Sequence, residues 1–203
     1  MSFVKYYSKE IMEPFALSTI ALSFDKRYEE YNNPKDTDNF DFISSNNENA
    51  LEVTTAIPEN MMRAYIYEKQ RAKGISKVKT DKLMDDIRNV KINDNGDLVL
   101  FYGGSMSEIK LKIKDSIQIK QEKALKRLKS KTYKNVDLCI CIDDGGLFDK
   151  YSFDLFFEGF EDYIFDNIFF ITSAHFVRYN KEIGFEEYPR IISEKYSLNT
   201  LSI

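Results

Sequence analysis

The spacing of apolar residues at the start of the chain predicts a helix followed by a β-hairpin. Pro14 suits the first turn of a helix, and apolar residues recur at helical spacing from there to Tyr31. Two runs rich in β-branched and aromatic residues follow, at 39–44 and 50–57. The polar, asparagine-rich segment between these two runs is typical of a hairpin turn.

Further along the chain, the same pattern predicts two more helices and a second hairpin. The helices are expected at residues 58–74, which begin with Pro58, and at residues 80–88. The hairpin is expected at residues 91–101, where Asn95-Gly96 is a typical type I′ turn.

The second half of the chain is expected to supply a basic helix and two buried strands. The helix covers about 116–131, and the strands cover 136–142 and 167–173. Both strands are almost entirely apolar, which is typical of strands covered on both faces. The predicted fold class is therefore α/β: a single domain, 1–203, with a central mixed β-sheet flanked by helices.

Two carboxylates are expected to face each other across the first hairpin. With a two-residue turn at Asn46-Asn47, Asp41 lies directly opposite Glu52. The neighbouring side chains divide between a core face and a polar face: Phe40, Phe42, Leu51 and Val53 on the first, and Thr54 with the two carboxylates on the second. Facing carboxylates repel each other, and a divalent cation between them would turn that repulsion into attraction.

The carboxylate pair has two interpretations. One is an oxygen-ligand site for Mg²⁺ (or Mn²⁺), formed by Asp41, Glu52 and the backbone carbonyl of Val53. The other is a polar hairpin face on which the carboxylates pair with Lys or Arg.

A helix, an Asp on one strand, a short turn and a Glu on the next strand together resemble the PD-(D/E)XK nuclease superfamily, the restriction-endonuclease-like fold. The matching residues are Asn39-Phe40-Asp41-Phe42 and Glu52-Val53-Thr54. The resemblance implies a mixed sheet flanked by helices, metal ligation by Asp41 and Glu52, and residues 58–114 as an insertion within the domain. Two positions depart from the family pattern: no Pro precedes Asp41, and Thr54 stands where the family has its lysine.

The basic helix is the second candidate for function. Residues 110–134 contain ten Lys or Arg and two acids, in a chain of net charge −4. The expected buried stripe consists of Ile117, Ala124, Leu125 and Leu128. The expected basic flank consists of Lys120, Lys123, Arg127 and Lys131. Such a flank can follow a nucleic-acid backbone, and the alternative is a solvated lysine-rich surface.

The same helix offers a replacement for the missing lysine. Lys123, or in second place Lys120, is expected to bring a cation to the carboxylates that Thr54 does not supply. Gln121 falls within the apolar stripe, where a polar side chain needs a partner. That partner is either the metal site or a neighbouring backbone group.

Other features bound the location and the partners of the protein. Cys139 and Cys141 alternate along one strand and are expected to be small buried residues in a reducing cytoplasm. No secretory signal is expected, and the stretch 163–177 is too short and too polar to span a bilayer. The segment 137–166 carries nine acids among aromatic residues, which would suit a protein partner.

The leading hypothesis is a metal-dependent nuclease that hydrolyses DNA phosphodiester bonds. One alternative is a catalytically inactive nuclease-like domain that binds nucleic acid or a protein partner, as part of a phage or mobile element. In a third interpretation, the protein is an interaction protein of the same origin, with a purely structural hairpin. Oligomeric state does not follow from the sequence.

Overall fold

A computed structural model describes residues 9–35, 38–75, 91–95, 98–100, 105–142, 150–156 and 163–196. The helices are α1 (Lys9–Ser23), α2 (Glu59–Ala72), α3 (Met106–Leu128) and α4 (Lys150–Phe156), with short 3₁₀ helices at Lys26–Glu30 and Glu194–Tyr196. The strands are β1 (Tyr31–Asn32), β2 (Phe42–Ser44), β3 (Asn49–Ala56), β4 (Lys91–Ile92), β5 (Leu98–Leu100), β6 (Asn135–Ile142), β7 (Asn167–Ile171), β8 (Phe176–Asn180) and β9 (Gly184–Tyr188).

The chain divides into two compact units. One contains Ile57–Lys112 together with the N-terminal residues up to Ile11, and the other contains Met12–Ala56 and Ile113–Ile203. The first unit holds α2 and the antiparallel pair β4–β5, and in it Arg71 donates a hydrogen bond of 2.6 Å to the backbone carbonyl of Asn95. Its long segment covers nearly the same residues as the expected insertion, 58–114.

The second unit is built on a seven-stranded mixed sheet with the order β1-β2-β3-β6-β7-β8-β9. The three central strands β3, β6 and β7 run parallel, and the outer pairs are antiparallel. The expected α/β class, with a mixed sheet flanked by helices, is therefore confirmed. Among the described residues, no helix is both long and apolar enough to cross a bilayer.

Apolar side chains from one face of this sheet pack against α1. Leu51 and Val53 of β3 and Cys139 and Cys141 of β6 belong to the same buried cluster as Ala16 and Ile20 of the helix. Both cysteines are free thiols and buried, as expected. Because successive side chains of a strand point to opposite faces, Glu52 points away from α1.

The other face of the sheet is covered by α3 and α4. The hydroxyl of Ser116 on α3 donates to the backbone carbonyl of Thr55 on β3 at 3.0 Å. Phe153 of α4 packs against Phe170 of β7, with ring centroids 4.5 Å apart. The central strands are thus covered on both faces, which explains the nearly continuous apolar sequences of β6 and β7.

Several details of the expected secondary structure were wrong or lie outside the described residues. Pro14 lies inside α1, which begins five residues earlier at Lys9. Proline lacks a backbone N–H and so removes one helical hydrogen bond, and the helix continues through it. α3 begins at Met106 rather than near 116, after a capping box in which Ser105 and Glu108 exchange side chain to backbone hydrogen bonds. The expected helix at 80–88 lies outside the described residues.

Candidate active site

The first hairpin brings the two expected carboxylates together. Phe42 pairs with Leu51 and Ile43 with Ala50, which confirms the expected register and places Asp41 beside Glu52. The turn is wider than expected: the strands end at Ser44 and Asn49, and Asn47 adopts a left-handed backbone conformation with φ 59°. The wider turn preserves the register because it extends the expected two-residue turn by one residue on each side.

Asp41 is held in place by the backbone of β3. β2 begins at Phe42, one residue after Asp41, and therefore does not extend far enough to pair with Val53. The Val53 N–H instead donates to Oδ2 of Asp41 at 2.9 Å, and Asp41 is buried. The carboxylate therefore accepts the hydrogen bond that a backbone carbonyl of β2 would accept if that strand extended further.

Two cations from α3 meet these carboxylates. Nζ of Lys120 lies 2.6 Å from Oε1 of Glu52 and 3.5 Å from Oδ2 of Asp41. Nη1 of Arg127 lies 2.5 Å from Oε2 of Glu52. Glu52 is 1% exposed, so its carboxylate is compensated by these cations rather than by bulk water. These four side chains, Asp41, Glu52, Lys120 and Arg127, are called the carboxylate–cation cluster below.

The helical repeat explains why these two cations point inward. Lys120 and Arg127 are seven residues apart, which is about two helical turns. The buried residues of the same helix segment are Ile113, Ile117 and Ala124, so all five positions follow alternating spacings of four and three. Lys120 and Arg127 thus lie on the inward face of α3 rather than on a separate flank of the helix.

Other residues of the expected stripe and flank lie elsewhere. Lys123 is exposed, and Leu125, expected to be buried, is 46% exposed because it falls outside the inward face. Lys131 is exposed, and its Nζ donates to Oδ1 of Asn39 at 2.6 Å. Oε1 of Gln121 accepts a hydrogen bond of 3.2 Å from the backbone N–H of Ile164, the second of the two expected kinds of partner.

Phe40 closes one side of the carboxylate–cation cluster. Its ring lies under the guanidinium of Arg127, with 5.3 Å from Cζ to the centroid, and packs edge-on against Tyr133. The expected position of Phe40 on the same face as Phe42 was wrong. The residue precedes β2, so the alternation of the strand does not apply to it. Thr54 follows on the same face of β3 as Glu52 and is half-buried.

The donor set of the cluster fits a hard divalent cation. The donors that the cluster would offer are the carboxylates of Asp41 and Glu52 and a backbone carbonyl. Among the described residues, no group of three His, Cys, Asp or Glu side chains is placed to hold a metal ion. The carbonyl of Val53 points to the same edge of β3 as its N–H, which reaches Asp41. One or two carboxylates with retained water are the usual protein ligands of Mg²⁺. Lys120 now holds the position between the carboxylates that such a cation would take.

Another buried carboxylate, that of Asp137, lies on the opposite face of the sheet. Asp137 of β6 accepts hydrogen bonds from the hydroxyl of Tyr28 at 2.7 Å and from the backbone and side chain of Asn167 at 3.0 and 2.8 Å. Burial raises the pKa of Asp137 to about 6, against these hydrogen bonds, which lower it. The sequence placed Asp137 both in the expected buried strand 136–142 and in the acidic segment 137–166, and the structure buries it in β6.

Comparisons with protein-family models, with curated proteins and with solved structures return no match for this chain.

Proposed function

We propose that this protein is a metal-dependent nuclease of the PD-(D/E)XK type that hydrolyses DNA phosphodiester bonds. The observation that supports it is the convergence of Asp41, Glu52 and Lys120 at 2.6 and 3.5 Å. Two carboxylates and a lysine are the groups that the family motif brings together, and here the lysine comes from the neighbouring helix instead of from the position of Thr54.

The order of the elements also supports this proposal. Asp41 directly precedes a strand antiparallel to β3, and Glu52 lies on β3 itself. α3 then leads into β6, which is parallel to β3. The resemblance rests on the first part of this order, the helix and the hairpin that carries Asp41 and Glu52.

Each residue of the cluster has a distinct role in the proposed reaction. Asp41, Glu52 and the Val53 carbonyl would hold Mg²⁺ or Mn²⁺, which would neutralise charge on the phosphodiester and ease deprotonation of the attacking water. Lys120, released from the carboxylates when they bind the metal, would orient that water or stabilise the charge that develops on the phosphate. Lys123, Lys126 and Lys131 are exposed on or just after α3, where they would contact the nucleic-acid backbone.

A second candidate function rests on the charge of the cluster. Two carboxylates and two cations already compensate each other without a metal. This self-sufficiency favours the alternative of a nuclease-like domain that has lost its chemistry and retains the binding of nucleic acid or of a protein partner.

Cleavage assays with matched variants decide between the two candidates. The wild type should cleave single- or double-stranded DNA in Mg²⁺ or Mn²⁺ and not in EDTA. Asp41→Asn, Glu52→Gln and Lys120→Met should each lower the rate by about a hundredfold or more, since each removes a charged group from the reacting centre. Lys181→Met, an exposed lysine of the β8–β9 turn, should cleave like the wild type.

Two outcomes would contradict the proposal in different ways. Absence of cleavage by the wild type with either metal, on DNA and on RNA, would favour the inactive binding domain. An inactive Lys123→Met variant beside an active Lys120→Met variant would keep the nuclease and reassign its lysine.

A further inference from the structure

Arg127 is the outermost charged member of the carboxylate–cation cluster. Its side chain is 19% exposed, compared with 14% for Lys120 and 2% for Glu52. One edge of its guanidinium donates to Oε2 of Glu52, and one face lies over the ring of Phe40. Lys131 lies one turn further along the chain and is exposed. Arg127 therefore lies between a buried carboxylate and a basic surface.

The charges of the cluster make metal uptake unfavourable while both cations stay on Glu52. The two carboxylates are matched by Lys120 and Arg127, so an added divalent cation would leave the buried cluster with an excess of two positive charges. Uncompensated charge is costly in an interior of low dielectric. A cation must leave, or an anion must arrive, for Glu52 to become a metal ligand.

A phosphodiester supplies such an anion, and Arg127 suits it better than Lys120. A planar guanidinium with several fixed donors binds phosphate oxygens in pairs. The ring of Phe40 can stay in contact with the guanidinium while the donors on its edge turn to another partner, because the cation–π contact uses the face. Lys120 is shared by both carboxylates and is the lysine of the proposed reaction.

We propose that Arg127 is an exchangeable counter-ion, which holds Oε2 of Glu52 in the metal-free protein and moves to a backbone phosphate once Glu52 engages a divalent cation. This inference rests on the proposed function. It makes Arg127 the residue that couples metal binding to nucleic-acid binding, in place of the purely surface role expected from the sequence.

Two binding measurements on Arg127→Met test the exchange without using activity. Titration with Mn²⁺ in the absence of nucleic acid, followed by the electron paramagnetic resonance of free Mn²⁺, should show affinity about tenfold or more above the wild type, because one competing positive charge is gone. Anisotropy of a labelled phosphorothioate oligonucleotide should show unchanged affinity in EDTA. With saturating Mn²⁺ its affinity should be about tenfold weaker, because a charge-assisted hydrogen bond to the phosphate is lost.

Control variants separate the exchange from a change in folding. Arg127→Lys keeps the charge and should resemble the wild type in Mn²⁺ affinity, and Lys181→Met should match the wild type in both measurements. Circular dichroism confirms that each variant is folded at the assay temperature.

The possible failures are distinguishable. Unchanged or weaker Mn²⁺ affinity in Arg127→Met overturns the counter-ion role and leaves the nuclease proposal intact. Oligonucleotide affinity that falls equally in EDTA and in Mn²⁺ overturns the exchange, since Arg127 would then contact phosphate without leaving Glu52. Absence of Mn²⁺ binding in both proteins contradicts the proposed function and this inference with it.

Discussion

Replacing Lys120 with Met should destabilise the metal-free protein and make its stability depend on divalent cations. Methionine keeps most of the apolar stem of lysine and removes the ammonium that separates the two carboxylates. Because Nζ lies 2.6 Å from one carboxylate oxygen and 3.5 Å from the other, these oxygens are no more than about 6 Å apart. Two unit charges at about 6 Å repel by about 3 kcal/mol at an effective dielectric constant of about 20. In the wild type the attraction of the ammonium for both carboxylates offsets this repulsion, and in Lys120→Met it is left uncompensated.

A loss of about 3 kcal/mol also agrees with the usual cost of breaking a buried ion pair, about 3 to 5 kcal/mol. The lower end applies because Arg127 still compensates Glu52. In a chain of this size, such a loss lowers the melting temperature by roughly 6 to 12 °C. The measurement is urea or thermal unfolding in EDTA, followed by circular dichroism.

Two further proteins make this reasoning refutable. Adding Glu52→Gln to Lys120→Met removes one of the repelling charges, so the double variant should be more stable than the single one. Lys181→Met should stay within about 0.5 kcal/mol of the wild type, as exposed substitutions usually do. Mg²⁺ should raise the stability of Lys120→Met more than that of the wild type, because the cation takes the place of the ammonium. A Lys120→Met protein as stable as Lys181→Met, with no response to Mg²⁺, would refute the electrostatic account.

Two other perturbations test separate parts of the molecule. Because the folded-state pKa of Asp137 is raised from 3.8 to about 6, the folded protein binds this proton more tightly than the unfolded chain, and stability should fall as pH rises from about 4 to about 7. Asp137→Asn should remove up to about 3 kcal/mol of that loss in urea unfolding at the two pH values, and an identical pH profile in both proteins would contradict this. Replacing Lys123, Lys126 and Lys131 together with Gln should lower the slope of log affinity for DNA against log salt by about 0.9 for each lost phosphate contact. A slope equal to that of the wild type would leave these lysines as a solvated surface.

Strand patterns were the most informative part of the sequence. β6 and β7 were predicted from continuous apolar runs. Short runs of this kind are typical of strands in the centre of a sheet, where both faces are buried. The register of the first hairpin also followed from the sequence, because a shift by one residue would move Leu51 and Val53 from the core to the other face. The pairing of Asp41 with Glu52 was therefore predictable from the sequence of the hairpin.

The inward face of α3 was predictable only in part. Ile113, Ile117 and Ala124 mark it, and the same spacing includes Lys120 and Arg127, a signal that could have identified both. The expected buried stripe was rotated away from the true inward face because it included Leu125 and Leu128, on the assumption that apolar residues are buried. A charged side chain can lie on the buried face of a helix where the neighbouring elements supply a partner of opposite charge, and here the carboxylates of the hairpin do so.

Tertiary structure decided that the inward face of α3, with Lys120 on it, meets the carboxylates. Lys120 and Lys123 are three residues apart, and the sequence favoured Lys123. The parallel pairing of β3 with β6, and the bond from Ser116 to the carbonyl of Thr55, set the rotation of α3 over the sheet. That rotation places Lys120 between Asp41 and Glu52 and leaves Lys123 at the surface. The periodicity of a single helix indicates which of its faces is buried. It does not indicate which residues of the sheet that face meets, because those contacts join residues far apart in the chain.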